Sequence, residues 1–600
     1  MLNYQDNRLD YGKLLNAPEG FKLDRAVATT YSLDLITLLS IPVALFYQKN
    51  MDGKITEDRM DIFDAIQKSS DTITVYCQKG KIKVPAEYNR MLTFVEDSVI
   101  EILPDVNFKS FHPKIWVIRY KNTKKEILYR VLVLSRNLTF DRSYDIAFSL
   151  EGFVGNNENP KSKPLCDYVT HLTKSGKFKG ADTFIKDLGL VNFIVSEPFN
   201  EFQMHPMGFE AYTNPLQKQQ WKDLIIVSPF LHKDTLKQLS SQISGKKYLI
   251  SRKEELDKIH RDILDQYKTY CFSKYIVEGE DIENEECVVN DEPDEEAKPQ
   301  NLHAKFYIGT DTKGKTNWYL GSANCSKPAM ETNEEFLIHL SGDSPKIGFN
   351  KMLDILLNKD EKYRIFDLYE REEKEPKISD EYDFRPQEYA LLNYINKAGN
   401  ISAECIADEN EPNLFTLKIV LKDNSIFKNK DVSFHFSPYA FNSGLKKVEG
   451  GGEYLFNAIS LFKLNPFLEW RIKHKTKNQE KEFITRIPIL NMPDNRKQEV
   501  FNSIIQNQER FMQLIQFLLG AGDDNATFGA NKKKVNKTKR SGTSWFLDQN
   551  MYEELLMASS RDAGKLVEID KLIERLKKAN SGDLIPQEFD DLWKIFKQVM

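Results

Sequence analysis

The chain has 600 residues, 40% hydrophobic and 29% charged, which is too long for one ordinary core of ~100–200 residues and too apolar for a disordered polymer. Lys and Arg number 84 against 89 Asp and Glu, a net charge of −5, so no global positive field announces nucleic acid or an anionic membrane, and such a partner must be held by a local patch. The six cysteines (Cys77, Cys166, Cys271, Cys287, Cys325, Cys405) contain no CxxC pair, which suits neither a disulfide framework nor a zinc site and points to a reducing cytoplasm.

Met1 to Lys13 carries Asp6, Arg8 and Asp10 and no apolar signal core, so secretion is not indicated. Leu33 to Tyr47 reads as a buried helix, because it contains Asp34, Ser40 and Pro42 and is shorter than the ~20 residues of a membrane span. Thr72 to Cys77 is β-branched and closed by Gly80, the pattern of a strand. The helix-then-strand texture recurs: Leu224 to Val227 ends at Ser228-Pro229, a helix is expected from about Lys233 to Ile243, and Lys247 to Ser251 looks like another strand. Such alternation predicts an α/β sandwich. His112–Glu151 and His303–Leu340 each read as strand, polar turn, strand, small-residue turn and a further extended segment, an internal duplication.

The acidic segment Glu278 to Glu296 has too few apolar residues to bury and reads as a mobile surface insertion. The charged stretch Tyr369–Tyr382 marks a domain boundary, after which Phe415–Leu421 and Val432–Phe436 alternate as half-exposed strands. Asp494 is the expected N-cap of a long helix with Phe501, Ile504, Ile505, Phe511, Ile515 and Leu518 on one face, ending near Gly520 and Gly522. A glycine- and lysine-rich linker, Gly522 to Gly542, precedes a helical tail from about Ser544. The expected organisation is therefore two α/β halves (1–185 and 186–375), a β-rich accessory domain ending in a long helix (376–522), a basic linker (523–543) and the tail (544–600).

The chemistry-bearing residues lie in the duplicated stretches. His112-Pro113-Lys114 and His303-Ala304-Lys305 each open an apolar strand, and strand geometry turns residues two apart to the same face. Each is followed by a small-polar turn, Ser135-Arg136-Asn137 in the first copy and Gly321-Ser322-Ala323-Asn324 in the second, and then by an acid at the edge of an extended run, Asp145 or Glu335. One His-x-Lys is expected by chance, with a structural histidine as its ordinary meaning. Here two of only nine histidines begin the same ordered series, with His112 to Asn137 spanning 25 positions and His303 to Asn324 spanning 21.

These paired motifs resemble the phospholipase D superfamily, whose active site is made from two His-x-Lys…Ser/Asn motifs, one per structural half, and Gly321 to Lys327 is also similar to the second motif of tyrosyl-DNA phosphodiesterases. The resemblance covers about residues 1–370 and implies a duplicated α/β/α sandwich. The acid usual five residues past the lysine is replaced by Arg119 and Thr310, a departure shared with the DNA-end-processing branch and unlike the lipases. His232-Lys233-Asp234 falls at a helix start, lacks the spacing and is set aside as coincidence.

Such residues suit displacement at a phosphodiester without metal or cofactor: one imidazole attacks phosphorus while the other protonates the leaving oxygen and later activates water. Spacing does not order the two; the resemblance implies His112 as nucleophile and His303 as general acid. Lys114, Lys305, Asn137 and Asn324 would hold the non-bridging oxygens, Asp145 and Glu335 would fix histidine tautomers, and the turn hydroxyls of Ser135 and Ser322 complete the expected catalytic set.

The expected substrate is nucleic acid, DNA first, and the resemblance to bacterial nuclease-type members implies a restriction or phage-defence setting. Arg471, Lys473, Lys475 and Lys477 beside Trp470, and Lys532, Lys533, Lys534, Lys537, Lys539 and Arg540 in the linker, could neutralise phosphates; a solvated face or solubilising linker is the competing reading. Leu566, Ile569, Leu572, Ile573 and Leu576 form a helical stripe that suits either intramolecular burial or docking of a protein partner. A phospholipid hydrolase or transferase, and a catalytically silent nucleic-acid-binding scaffold, are the alternatives to a nuclease. No membrane partner is expected.

Overall fold

The protein is described by a computed structural model covering residues 14–46, 71–85, 88–104, 109–139, 143–272, 301–342, 345–358, 365–371, 382–411, 413–441, 444–504 and scattered positions between 566 and 597. It is a mixed α/β protein with several sheets and few helices. The acidic insertion Glu278–Glu296, the linker lysines Lys532, Lys533 and Lys534, and the helix positions from Ile505 to Leu518 lie outside the described residues.

The first large sheet uses β1 (Phe21–Thr30), β2 (Ile73–Gln78), β3 (Val99–Ile102), β4 (Ile115–Asn122), β5 (Ile127–Leu134), β7 (Ala147–Val154) and β8 (Val191–Ile194), with the short β6 (Ser143–Tyr144) lying apart. The second uses β9 (Glu201–Met207), β10 (Trp221–Val227), β11 (Lys247–Ile250), β12 (Lys268–Phe272), β14 (Phe306–Asp311), β15 (Thr316–Gly321), β16 (Glu335–Gly342) and β17 (Phe366–Leu368), with β13 (Asn301–Leu302) paired to β6. The strand orders are β3-β2-β1-β4-β5-β7-β8 and β17-β12-β11-β10-β14-β15-β16-β9. Apart from the added edge strand β17, the second order repeats the first, with the same parallel and antiparallel senses.

Central strands read as continuous apolar runs because both faces are covered: all six residues of β2 are buried. One core joins the sheets, with Val117, Tyr129 and Val131 from the first and Ile225, Phe306 and Ile338 from the second. Leu33 and the helix Leu35–Phe46 cover the other face of the first sheet, and Lys233–Ser241 that of the second. That second helix begins where sequence suggested, and His232 is its N-cap, accepting from Asp234 N. Among the described residues no helix is long and apolar enough to cross a membrane.

Residues 385–504 follow a different pattern, with polar and apolar residues alternating along half-exposed strands. The helix Arg385–Asn396 precedes a three-stranded sheet (β18 Ile401–Ala407, β19 Leu414–Leu421, β22 Gly452–Ser460) and a four-stranded sheet (β20 Val432–Pro438, β21 Lys446–Val448, β23 Phe467–His474, β24 Glu480–Arg486). Leu417, Ile419, Phe434, Phe436 and Trp470 share their core. A helix runs from Arg496 to Ile504, two residues past Asp494. In the tail, Leu566, Ile569, Ile573, Phe589 and Trp593 are buried, and Trp593 Nε1 donates to Asp570 Oδ1 at 3.0 Å.

The β-rich region is fastened to the first sheet by charges. Arg496 pairs with buried Glu96 and also donates to Leu464 O, Arg486 pairs with Asp97 (2.8 Å), and Lys81 pairs with Glu388. Burial pushes the Glu96 carboxyl above its ordinary value, with Arg496 opposing that rise. Removing one member of a buried pair strands the other, at a cost of about 3–5 kcal/mol. Arg496→Ala is therefore expected to lower the denaturant midpoint sharply, while the apolar double replacement Glu96→Leu with Arg496→Met recovers most of the loss. If the single variant unfolds like the wild type, the pair is not a fastening.

Candidate active site

The two His-x-Lys segments are carried to one place by exchange of backbone bonds between the halves. Phe111 bridges to Glu334, and His112 N donates to Glu334 O at 2.9 Å. In the other half Leu302 pairs with Tyr144 across β13 and β6, and His303 N donates to Tyr144 O at 3.0 Å. Each histidine is thus pinned beside the residue preceding the other half's acid, Glu335 or Asp145. The small-polar turns are built alike. Ser135 N donates to Ile146 O and Ser322 N to Phe336 O, both at 3.0 Å, and each serine hydroxyl accepts from that same residue's N–H at 2.9 Å.

Glu335 is fully buried and takes three contacts: His112 Nδ1 at 2.8 Å, Ser322 Oγ at 2.5 Å and Asn333 Nδ2 at 3.3 Å. A carboxylate only accepts, so Nδ1 of His112 carries the proton and Nε2 keeps its lone pair. Burial pushes the His112 pKa down to about 4; Glu335 opposes that fall, whereas Lys114 and Lys305 add to it. The imidazole is therefore neutral at pH 7. Asp145 accepts from Ser135 Oγ (3.2 Å) and Ser143 Oγ (2.5 Å), with Arg136 Nε at 4.0 Å.

Both lysines are buried. Lys114 Nζ donates to His112 O at 2.8 Å; Lys305 Nζ donates to His303 O at 2.6 Å and reaches across to Ser135 O at 3.4 Å. Burial and then the neighbouring Lys305 hold the Lys114 ammonium well below its ordinary pKa, with Glu335 and Asp145 opposing. An incoming phosphate diester would bring negative charge to this pair of lysines and favour their charged forms. Asn324 is buried, and its Oδ1 has no hydrogen-bond partner among the described residues. Asn137 Oδ1 accepts from Ser32 N at 3.4 Å.

Gly321 permits the second turn. Its φ is +148°, and a Cβ there would lie 2.2 Å from Phe336 O, inside any tolerable contact, so an alanine would displace Ser322 and with it Glu335. Arg119, at the position where the resemblance expects an acid, is a structural ion: it pairs with Asp24 and Asp187 in the first sheet.

Of the ten expected catalytic residues, hydrogen bonds join His112 and Ser322 to Glu335, Ser135 to Asp145 and Lys305 to Ser135 O, and Lys114 feels the charges of Lys305, Glu335 and Asp145; Asn137 bonds instead to Ser32 N. The outlying basic candidates are placed elsewhere. Arg471 lies on β23 and is met by Glu469 (2.8 Å), Glu480 (3.4 Å) and Glu482 (3.4 Å); Lys473 is met by Glu480 (2.9 Å), and Lys475 donates to Asn429 O (2.7 Å). Lys477 follows on the β23–β24 turn, where its N–H donates to His474 Nδ1 at 2.9 Å. Two residues to which the sequence assigns no separate role stand at the site. Tyr31 lies edge-on to His112, with ring centroids 5.2 Å apart, and buried Glu334 is held by Lys109 and His171, each at 3.2 Å. Tyr31 carried a faint signal, since it directly follows β1 at the same end of the sheet as His112.

Among the described residues, no group of three or more His, Cys, Asp and Glu side chains is arranged to hold a metal ion. No family model matches the chain, and no curated protein matches it. Among solved structures, yeast tyrosyl-DNA phosphodiesterase is similar at 16% identity over 56% of this chain and 85% of that one, with a TM-score of 0.34. A variant of yeast tyrosyl-DNA phosphodiesterase 1 is similar at 14% identity over 55% and 85%, with a TM-score of 0.35.

Proposed function

We propose that this protein is a phosphodiesterase of the phospholipase D type, cutting DNA through a phosphohistidine on His112. On this reading residues 1–185 and 186–375 are the two halves of one catalytic unit, and 376–522 is an accessory domain. The observation that carries it is a neutral His112 whose Nδ1–H is held by buried Glu335 from the opposite half, beside Lys114 and Lys305. Nε2 attacks phosphorus, the N–P bond forms as the P–O bond to the leaving group breaks, and His303 supplies that oxygen's proton. Water then attacks phosphorus, its proton passes to His303, and the N–P bond breaks to regenerate His112. Lys114, Lys305 and the two asparagines hold the non-bridging oxygens, and Asp145 orients His303 as Glu335 orients His112. The restriction or phage-defence setting rests on the sequence resemblance alone.

The test is direct. Purified protein is incubated in EDTA with labelled DNA and, separately, with liposomes. Strand cleavage without headgroup release is the expected outcome. Headgroup release with intact DNA would make the protein a phospholipid hydrolase, and binding without turnover of either would make it a scaffold.

A further inference from the structure

Where β1 ends, the chain turns through Tyr31 and Ser32 into the wall of the site. Thr30 Oγ1 donates to Ser32 O (2.7 Å) and accepts from Leu138 N (3.0 Å), Asp34 N donates to Leu138 O (2.8 Å), and Ser32 N donates to Asn137 Oδ1. The turn is therefore tied on both sides to the strand end that carries Asn137. The second half has the same construction: Ser228 Oγ donates to Phe230 O (2.8 Å) and accepts from Cys325 N (2.8 Å), and His232 N donates to Cys325 O (2.9 Å). In that copy Pro229 stands in the place of Tyr31. The aromatic ring beside the first histidine is thus not required to make the turn.

Tyr31 meets His112 at an interplanar angle of 60°, an edge-to-face arrangement that aromatic rings favour. Behind Tyr31 stands Lys81, whose ammonium is close enough to act electrostatically on the phenol and which pairs with Glu388 on the helix Arg385–Asn396. Leu392 of the same helix lies against Gly80, where an added Cβ would come within 2.8 Å of it. A line of interactions therefore runs from the β-rich region: Glu388 pairs with Lys81, Lys81 acts electrostatically on Tyr31, and Tyr31 meets His112.

We propose that Tyr31 is a positioning residue for His112, and that the Lys81–Glu388 pair holds it in place from the β-rich region. The hydrogen bond to Glu335 fixes Nδ1 but leaves the imidazole free to rock about the Nδ1···Oε2 line. A ring edge against its flank removes that freedom, keeps Nε2 on one bearing, and shields the imidazole from water. The inference rests on His112 being the nucleophile proposed above.

Two readouts test it on the full-length protein: steady-state kinetics on a phosphodiester, and the titration of His112 followed by NMR of ¹³C-labelled histidine. The groups facing His112 are Glu335 from β16, Lys305 from the segment before β14, Lys114 from its own segment and Tyr31; Tyr31→Ala changes only the last. Kcat should fall about 30-fold with KM changed less than about threefold, since a misplaced nucleophile loses rate rather than binding. The His112 midpoint should rise from about 4 by roughly one unit, because admitted water relieves the burial that is the largest cause of its depression. Tyr31→Phe keeps the ring and should restore both values, and Glu388→Gln should move both in the direction of Tyr31→Ala by a smaller amount. A His112 midpoint unmoved in Tyr31→Ala, or a Tyr31→Phe variant as impaired as the alanine, overturns the proposal. Absence of turnover in the wild type would instead sink the reading of function, with the NMR titration still deciding the role of Tyr31.

Discussion

Offered an aryl phosphodiester, the His303→Ala variant is expected to modify itself once and then stop. An aryl oxide leaves without a proton, so His112 still attacks and releases the phenol in a burst equal to the enzyme present. Hydrolysis of the N–P bond needs a base to activate water, and that base is gone. The phosphorylated protein should accumulate and yield an acid-labile adduct whose mass maps to the peptide holding His112. On a DNA substrate, whose alkoxide leaving group does need the proton, the same variant should lose about 10²–10⁴-fold in kcat, the usual contribution of general acid–base catalysis. His112→Ala should show neither burst nor turnover, a loss of about 10⁴-fold or more, equivalent to ~5.4 kcal/mol of barrier. An adduct found on His303 in the wild type would exchange the two roles. A burst equal in both variants would place the nucleophile elsewhere.

Much of this arrangement was legible in the amino-acid sequence, and what was not has a physical pattern. The strands were readable because both sheet faces are covered, which leaves runs such as Ile73 to Cys77 with every residue buried. The His-x-Lys pairs were readable because extended geometry has a period of two; both segments directly precede their strands, at Ile115 and Phe306. Hidden from any reading of spacing was the exchange between halves. Glu335 lies 32 positions from His303 and 223 from His112, yet it serves His112. The basic stripe at Arg471 and Lys473 looked like a phosphate-binding face because a sequence does not give strand register. In the four-stranded sheet Arg471 stands opposite Glu482 and Lys473 opposite Glu480, and cross-strand pairs of this kind neutralise one another locally. The pairing of Arg496 with Glu96 spans 400 positions and leaves no local trace. Tyr31 has little to distinguish it in the sequence, because an aromatic residue at a strand end is ordinarily core.

Glu335→Gln should be nearly as damaging as loss of a histidine, for a reason that separates position from charge. The carboxylate only accepts, which forces the proton of His112 onto Nδ1. A glutamine can present its NH₂ instead, and the imidazole then carries its proton on Nε2, the atom that must attack. Loss of tautomer control of this kind costs about 10⁴-fold in a serine-protease triad, and a fall of about 10³–10⁴-fold in kcat is expected here. The sign of the pH effect distinguishes this cause from a general loosening. Glu335 raises the His112 pKa against burial and the two lysines, so its removal should move the His112 midpoint below about 4, whereas a site opened to water would move it up toward the ordinary value near 6.5. Stability should shift as well. Lys114 is already held below its ordinary pKa with Glu335 among the groups opposing that fall. Without the carboxylate the folded-state value drops further, so the folded form binds fewer protons relative to the unfolded chain, and the variant should lose stability as pH is lowered from alkaline toward neutral. Glu335→Asp retains the charge on a shorter arm and should recover the pH dependence of stability without recovering full rate. A Glu335→Gln protein within tenfold of wild-type kcat would mean that His112 needs no partner from the opposite half.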